Sequence, residues 1–444
     1  MSSFATVAHG TVAALCVAVV TAGAAITAGA ARADEAGDAS RASIAPSRRE
    51  GAPSGVLSLS LTDAIDRADA RAPGVVFAGH AVREARARRV GAGLVLPVNP
   101  RLSVDARPPL SGSPVTQLGY AANLDMLFEV GGAPAARVRE ADRGADLASV
   151  DLAVERLRAK VEAYAAYLRV RVADERLAET RALVAVGERI LGASKQRAEA
   201  GATGDIEQSL AASDLAQLRA AIVGAGRARE TFLSELRDVL DLPAGQALVL
   251  TTPLEDPPPA GDASELVSRA LDARPELAQI RKRVALLDAT EDRLEREVFP
   301  RVGVYVGVDA APASPVFGIM GLSVELPFVQ RNQGPRAVVV AQRSGEADRL
   351  ELQGRRVVRE VTAARGAYEA RRVELQTLTD TALPAAERTL QLVEAGWLSG
   401  RFDVFRVASA ARDVARVRGL RLDALEAAWM ERIALDRAVG GVSP

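Results

Sequence analysis

The sequence states one long pattern twice. Pro100-Arg101-Leu102-Ser103-Val104 returns as Pro300-Arg301-Val302-Gly303-Val304, and Leu124-Asp125-Met126-Leu127-Phe128 returns as Val324-Glu325-Leu326-Pro327-Phe328. Upstream, Ala68 to Pro73 matches Ala270 to Pro275. Downstream, Val161 matches Val361 and Ala200-Gly201 matches Ala395-Gly396. Solenoid repeats recur every ~20–50 residues, far more closely than this. The chain is therefore a duplicated structural unit, and whatever one half builds, the other builds in the same geometry.

Each unit contains two segments in which apolar residues alternate with others. Val302, Val304, Val306 and Val308 alternate with Gly303, Tyr305, Gly307 and Asp309; Met320, Leu322, Val324 and Leu326 alternate with Gly321, Ser323 and Glu325. The first half repeats this with Leu102, Val104 and Ala106, then with Leu118, Tyr120, Ala122, Leu124 and Met126. Period two marks strands with one apolar face, and about 9–11 residues is the reach of a tilted strand across a bilayer. Alternation also suits soluble hairpins packed on helices. Polar intervening residues such as Asp105, Asn123 and Asp125 favour a wet lumen, and Tyr120, Phe128, Phe299, Phe317 and Phe328 fall where membrane-interface aromatics belong. Four strands in lipid cannot stay an open sheet, because their edges would leave backbone groups unpaired in hydrocarbon. Other copies of the chain must complete the wall; two would give eight strands and three would give twelve.

Between the strand pairs the pattern is helical. From Pro134, which suits a first helical turn, to Ala200 the chain has no further Pro, a span of roughly 100 Å at 1.5 Å per residue. Val150, Leu157, Val161, Tyr164 and Leu168 form a seam that Val357, Val361, Ala364 and Tyr368 repeat, as in coiled-coil-like helices. Hydrophobic residues are 48% of the chain but aromatics only 4%, which suits thin helices better than a bulky core. The expected organisation is a signal peptide over 1–33, a flexible segment over 34–56 and a first repeat over 57–242. That repeat holds a helix, a hairpin at 101–128, a long helix at 134–200 and a return helix at 206–240. A Pro-rich connector at 243–262 leads to the second repeat, 263–441. There a helix from Ser264 to Val298, a hairpin at 301–328, a long helix at 335–396 and a return helix at 404–439 follow, with Pro384 kinking or locally unwinding the rod.

Thr11 to Ala30 is apolar and precedes Ala31-Arg32-Ala33, the pattern of an export signal cleaved before Asp34. The mature chain then holds no Cys and a single His, His80, so no cofactor, no metal site and no nucleophilic triad is expected within it. A net charge of -1 gives no case for nucleic acid.

Over Leu57 to Gly441 the chain resembles the TolC-like outer-membrane efflux proteins. The marks are Arg274-Pro275-Glu276-Leu277, Leu326-Pro327-Phe328, Glu394-Ala395-Gly396 and Gly400 with Asp403-Val404, together with the duplication. Asn99-Pro100 and Arg331-Asn332-Gln333-Gly334 resemble the heavy-metal (cobalt–zinc–cadmium) branch. The resemblance implies a homotrimer: a mainly α fold whose strands form one twelve-stranded outer-membrane barrel on a periplasmic helical tunnel. It also implies outer-membrane lipid around the barrel, a periplasmic adaptor and an inner-membrane RND-type pump as partners, and a passive duct with no catalysed reaction. Carried onto this chain, Trp397, Arg401 and Asp403 fit the residues that close the tunnel, with Arg406 where the family has a second acid. Gly201, Gly204, Asp205, Gly396 and Gly400 fit the helix tips and adaptor-docking turns. Asp403 could equally cap its helix, as Asp205 of Asp205-Ile206-Glu207-Gln208 does in a capping-box pattern. A type I secretion or drug-efflux duct, or a soluble periplasmic coiled-coil or adhesin protein, are the alternatives.

Overall fold

The computed structural model describes residues 55–96, 98–108, 119–199, 205–310 and 315–442. The expected signal peptide, most of segment 34–56, Gly201, Gly204 and the side chain of Asp205 lie outside the described residues.

The described chain begins with β1 (Leu57–Leu59), α1 (Leu61–Arg71) and α2 (Pro73–Ala92), then the strands β2 (Arg101–Arg107) and β3 (Gly119–Glu129). The long helix α3 (Ala133–Glu199) and return helix α4 (Asp205–Val239) complete the first half. The second half runs β4 (Leu248–Leu250), α5 (Ala263–Ala273), α6 (Pro275–Arg296), β5 (Arg301–Ala310) and β6 (Phe317–Val324). It ends with α7 (Gln333–Thr377), a π-helical turn at Leu378–Ala382, α8 (Leu383–Leu398) and α9 (Val404–Val439).

Three departures from the sequence reading have physical causes. The single helix expected from Ser264 to Val298 is broken at Arg274, whose extended backbone (φ -63, ψ 121) follows from the clash a proline imposes on the residue before it. Strand β6 stops at Val324, short of 328, although the Glu325 amide still donates to the Arg301 carbonyl at 3.1 Å. Pro327, two residues on, has no amide to extend the ladder. The Pro-rich connector also contains a strand: β4 pairs in parallel with β1, Leu57 opposite Leu248 and Leu59 opposite Leu250.

Helix packing supplies the core. Of the seam read from spacing, Tyr164, Leu168, Val357, Val361 and Tyr368 are buried in helix contacts and Val150, Leu157, Val161 and Ala364 are half-buried; Tyr167, outside that seam, is fully buried as well. Each such side chain contributes on the order of 1.5–3 kcal/mol. Tyr167 also ties the small sheet to α3: its hydroxyl donates to the Leu59 carbonyl at 3.1 Å and accepts from the Thr252 amide at 3.0 Å. Arg274, buried at the break between α5 and α6, donates to the Ala438 carbonyl at 2.5 Å and to Glu360 at 2.6 Å, joining the end of α9 to α7. Among the described residues, no helix is long and apolar enough to cross a membrane.

Candidate functional site

The four longer strands form one antiparallel sheet in the order β2-β3-β5-β6, so the two halves of the duplication meet at β3 and β5. Register sorts their side chains into two faces, because neighbours across a ladder point the same way. One face carries Leu102, Leu124, Val306 and Met320 in one row, Met126, Val304 and Leu322 in another, and Phe128, Val302 and Val324 in a third. The opposite face carries Arg101, Asp125 and Tyr305, then Ser103, Asn123 and Gly307, then Asp105, Ala121 and Asp309. In the single chain the apolar face is open: Val104 is 71%, Leu322 72% and Met320 84% exposed. A contiguous apolar face of this kind marks contact with lipid or another protein.

The polar face is flattened by missing side chains. A Cβ at Gly321 would collide with the Tyr305 ring, and one at Gly307 with the Asn123 amide. Tyr305 and Asn123 therefore lie along the sheet. Arg107 pairs with Asp309 at 3.5 Å across it. At the helical end, Glu129, almost fully buried, pairs with Arg137 of α3 and stands 3.9 Å from Arg301, fixing the sheet to the long helix.

The aromatics divide between the two ends of the sheet. Phe128, Phe299 and Phe328 stand at the helical end, where the Phe299 ring covers Gly131. Tyr120 stands at the far end on the apolar face, opposite Ala106 and Ala310. Phe317 is a correction. It pairs with Asp309 and so belongs to the polar face, because its position has the opposite parity to Met320, Leu322 and Val324.

At the other end of the molecule, α8 closes in a Schellman turn. Gly400 adopts φ +73; its amide donates to the Trp397 carbonyl at 3.0 Å, and the Arg401 amide donates to the Gly396 carbonyl at 2.8 Å. Glycine at Gly400 meets the left-handed backbone without strain. Gly396 is bare for a different reason: a Cβ there would run into the Phe402 ring. The Arg406 guanidinium lies over that ring, 5.1 Å from its centre, at cation–π distance. Asp403 begins α9, with one carboxylate oxygen accepting from the Arg406 amide at 2.9 Å. It is the cap that spacing allowed, and among the described residues no ion pair joins it to Arg401. Both are exposed, while Trp397 is half-buried. The tip thus brings Gly396, Gly400, Arg401 and Asp403 together within one turn. Sequence reasoning missed the Phe402–Arg406 stack, although their i, i+4 spacing around a capping Asp was a usable signal.

No protein-family model matches the chain. A curated relative, the cobalt-zinc-cadmium resistance protein CzcC of Cupriavidus metallidurans, is 24% identical over 327 residues, 72% of this chain and 76% of CzcC. Among solved structures, CusC, described with its transmembrane channel formation, superimposes with a TM-score of 0.70 at 17% identity, over 86% of this chain and 92% of CusC. The outer membrane protein VceC of Vibrio cholerae gives 0.67 at 16%, over 86% of this chain and 96% of VceC. The chain has the TolC-like outer-membrane channel fold. The two-faced sheet lies at one end of the long helices and the Schellman turn with Asp403 at the other. Among the described residues, no group of three or more His, Cys, Asp or Glu could hold a metal ion.

Proposed function

We propose that this chain is the outer-membrane channel subunit of a tripartite efflux system, a passive exit duct for heavy-metal cations expelled by an inner-membrane RND-type pump through a periplasmic adaptor. The observation that carries this is the sheet: a face apolar in every row, a polar face with flattened side chains, and edge strands β2 and β6 that each lack a second partner among the described residues. In lipid those edges must be closed by other copies. Three copies make a twelve-stranded barrel with the polar face as its lumen. A soluble periplasmic spacer would instead present the Val104, Met320 and Leu322 face to water.

The likeness to CzcC supports metal cations as cargo. The duct performs no chemistry; its polar face offers Asp105, Asp125 and Asp309 beside Arg101 and Arg107, a mixed lining that ions can pass without being trapped. At the tip, Asp403 uses one oxygen as a cap and leaves its carboxylate exposed, so it both starts α9 and contributes to a ring of negative charge in a trimer. Arg401 and Trp397 flank that ring. Gly396 and Gly400, with Gly201, Gly204 and Asp205 as their counterparts in the first repeat, are the positions assigned to adaptor contact.

Two measurements test this. Deleting the gene should sensitise cells to cobalt, zinc or cadmium and not to a panel of organic toxins; the reverse pattern would assign a drug duct. Asp403→Ala and Arg401→Ser should each raise single-channel conductance in planar bilayers, and unchanged conductance in both would remove these residues from the gate.

A further inference from the structure

Next to the sheet, the helices repeat the order of the strands. They pack as α2-α3-α6-α7, with Arg89 pairing with Asp142 at 3.3 Å, Lys282 with Asp146 at 3.0 Å and Arg343 with Asp288 at 3.0 Å. Edge helix α2 leads into edge strand β2, and edge strand β6 leads into edge helix α7. Both edge helices have a buried side, with Val75 and Val82 in α2 and Val339 in α7, and an open one. The open side of α2 carries Val76, His80, Arg83, Ala87 and Val90, with Phe77 beside Val76; Phe77 is 73% and Val90 76% exposed. The open side of this part of α7 carries Val338, Ala341, Gly345, Asp348 and Leu352. Both runs step by three and four residues, so each is a stripe along one helix face.

The two stripes complement each other. Laid antiparallel with Val90 opposite Val338, they set Ala87 opposite Ala341, Arg83 opposite Gly345, His80 opposite Asp348 and Val76 opposite Leu352. Apolar pairs fall at both ends, and the small residues between them let the backbones approach. Open space over Gly345 leaves room for the Arg83 side chain. Among the described residues Arg83 has no carboxylate partner and stands 2.8 Å from His80 Nδ1, while Asp348 is exposed without an ion pair. The charges left over on one stripe therefore match those left over on the other, and such matching fixes register. The duplication leads to nearly the same register by a separate route. Lys282 and Asp146 join α6 to α3, and their counterparts in the opposite halves are His80 and Glu346. A repeat of that contact between chains brings His80 to within two positions of Asp348. We propose that α7 of one chain docks antiparallel on α2 of a second copy in this register. The contact is head-to-tail, so successive copies can close into a ring. The proposal rests on the duct reading for the presence of several copies, and adds which helices meet and how they align.

Residues 34–444 contain no cysteine, so introduced thiols report without background. Full-length protein carrying Ala87→Cys and Ala341→Cys together is oxidised with copper phenanthroline in outer-membrane fractions. Denaturing gels should then show covalent dimers and trimers. Ala87→Cys combined with Leu352→Cys, displaced by 11 residues or about 16 Å at 1.5 Å per residue, should give neither. The two single variants expressed together should stop at the dimer, because each chain then offers one thiol. Charge reversal gives a second readout. Asp348→Arg should deplete the heat-resistant oligomer, and Arg83→Asp in the same chain should restore it. Equal cross-linking by the displaced pair, a disulfide closed within one chain, or no recovery on charge exchange would overturn the proposal. Trimers in native mass spectra without the Ala87–Ala341 cross-link would overturn this docking and leave the duct reading standing, whereas a water-soluble single chain would overturn both.

Discussion

Gly396 is bare because the Phe402 ring occupies the place of its side chain, and that single contact sets the tip. Gly396→Ala should displace the ring and break the Arg406 stack, a local cost of about 1–3 kcal/mol. Hydrogen exchange should report it as faster exchange at the Arg401 and Phe402 amides, both of which donate to the Gly396 carbonyl, with little change in the global melt. Glu360 gives a pH-dependent contact. Burial pushes its carboxyl up, but the hydrogen bond and charge of Arg274, helped by Arg356, outweigh burial and hold it below its ordinary value. Its folded value is therefore depressed, so its contribution to stability is present above the unfolded value and is lost as pH falls through the folded one. Glu360→Gln should melt below the parent protein at neutral pH, and the gap should close below about pH 4; a constant gap would contradict the pairing. At this level the sequence was partly legible. Asp403 announced itself as a cap by standing before an apolar run, whereas the stacking of Phe402 on Gly396 depends on the left-handed turn at Gly400, and tertiary contact of that kind leaves no periodic trace.

The π-helical turn is the clearest departure from regular geometry among the helices. Within it the Leu383 amide donates to the Leu378 carbonyl, five residues back. Pro384 explains why: its ring cannot coexist with the carbonyl four residues earlier in an α-helix, and that carbonyl belongs to Asp380, inside the turn. Arg421 of α9 then holds the widened turn by donating to Thr379 Oγ1 at 3.1 Å. Pro384→Ala should let the turn revert toward α-geometry, seen in a high-resolution structure as a Leu383 bond to Thr379; a retained π turn would place the cause in Arg421. Spacing predicted the long helices and their seam because a 3/4 pattern over tens of residues averages out local noise. Three-residue strands such as Leu57–Leu59 and Leu248–Leu250 are too short to carry a period. Their pairing rests on Tyr167, distant in sequence, so it could not be read from the strands themselves.

For the molecule as a whole, the two faces of the sheet make opposite demands. Val306→Arg puts a charge in the middle of the apolar face, where lipid contact costs about 2–4 kcal/mol near the bilayer midplane. Asn123→Arg puts the same charge two strand positions from Asp125 on the polar face. The first should sharply reduce heat-resistant oligomer in the outer-membrane fraction and the second should leave it near the parent level; equal effects would mean that neither face meets lipid. What the sequence held of this was the alternation and the unpaired edges. It did not hold the order β2-β3-β5-β6, because pairing between halves is set by where the long helices place the strands. Native mass spectrometry of the protein released from lipid nanodiscs tests the shared wall most directly. Three chains per disc are expected, with no soluble form in the absence of lipid or detergent, and a water-soluble single chain would contradict the barrel and the duct together.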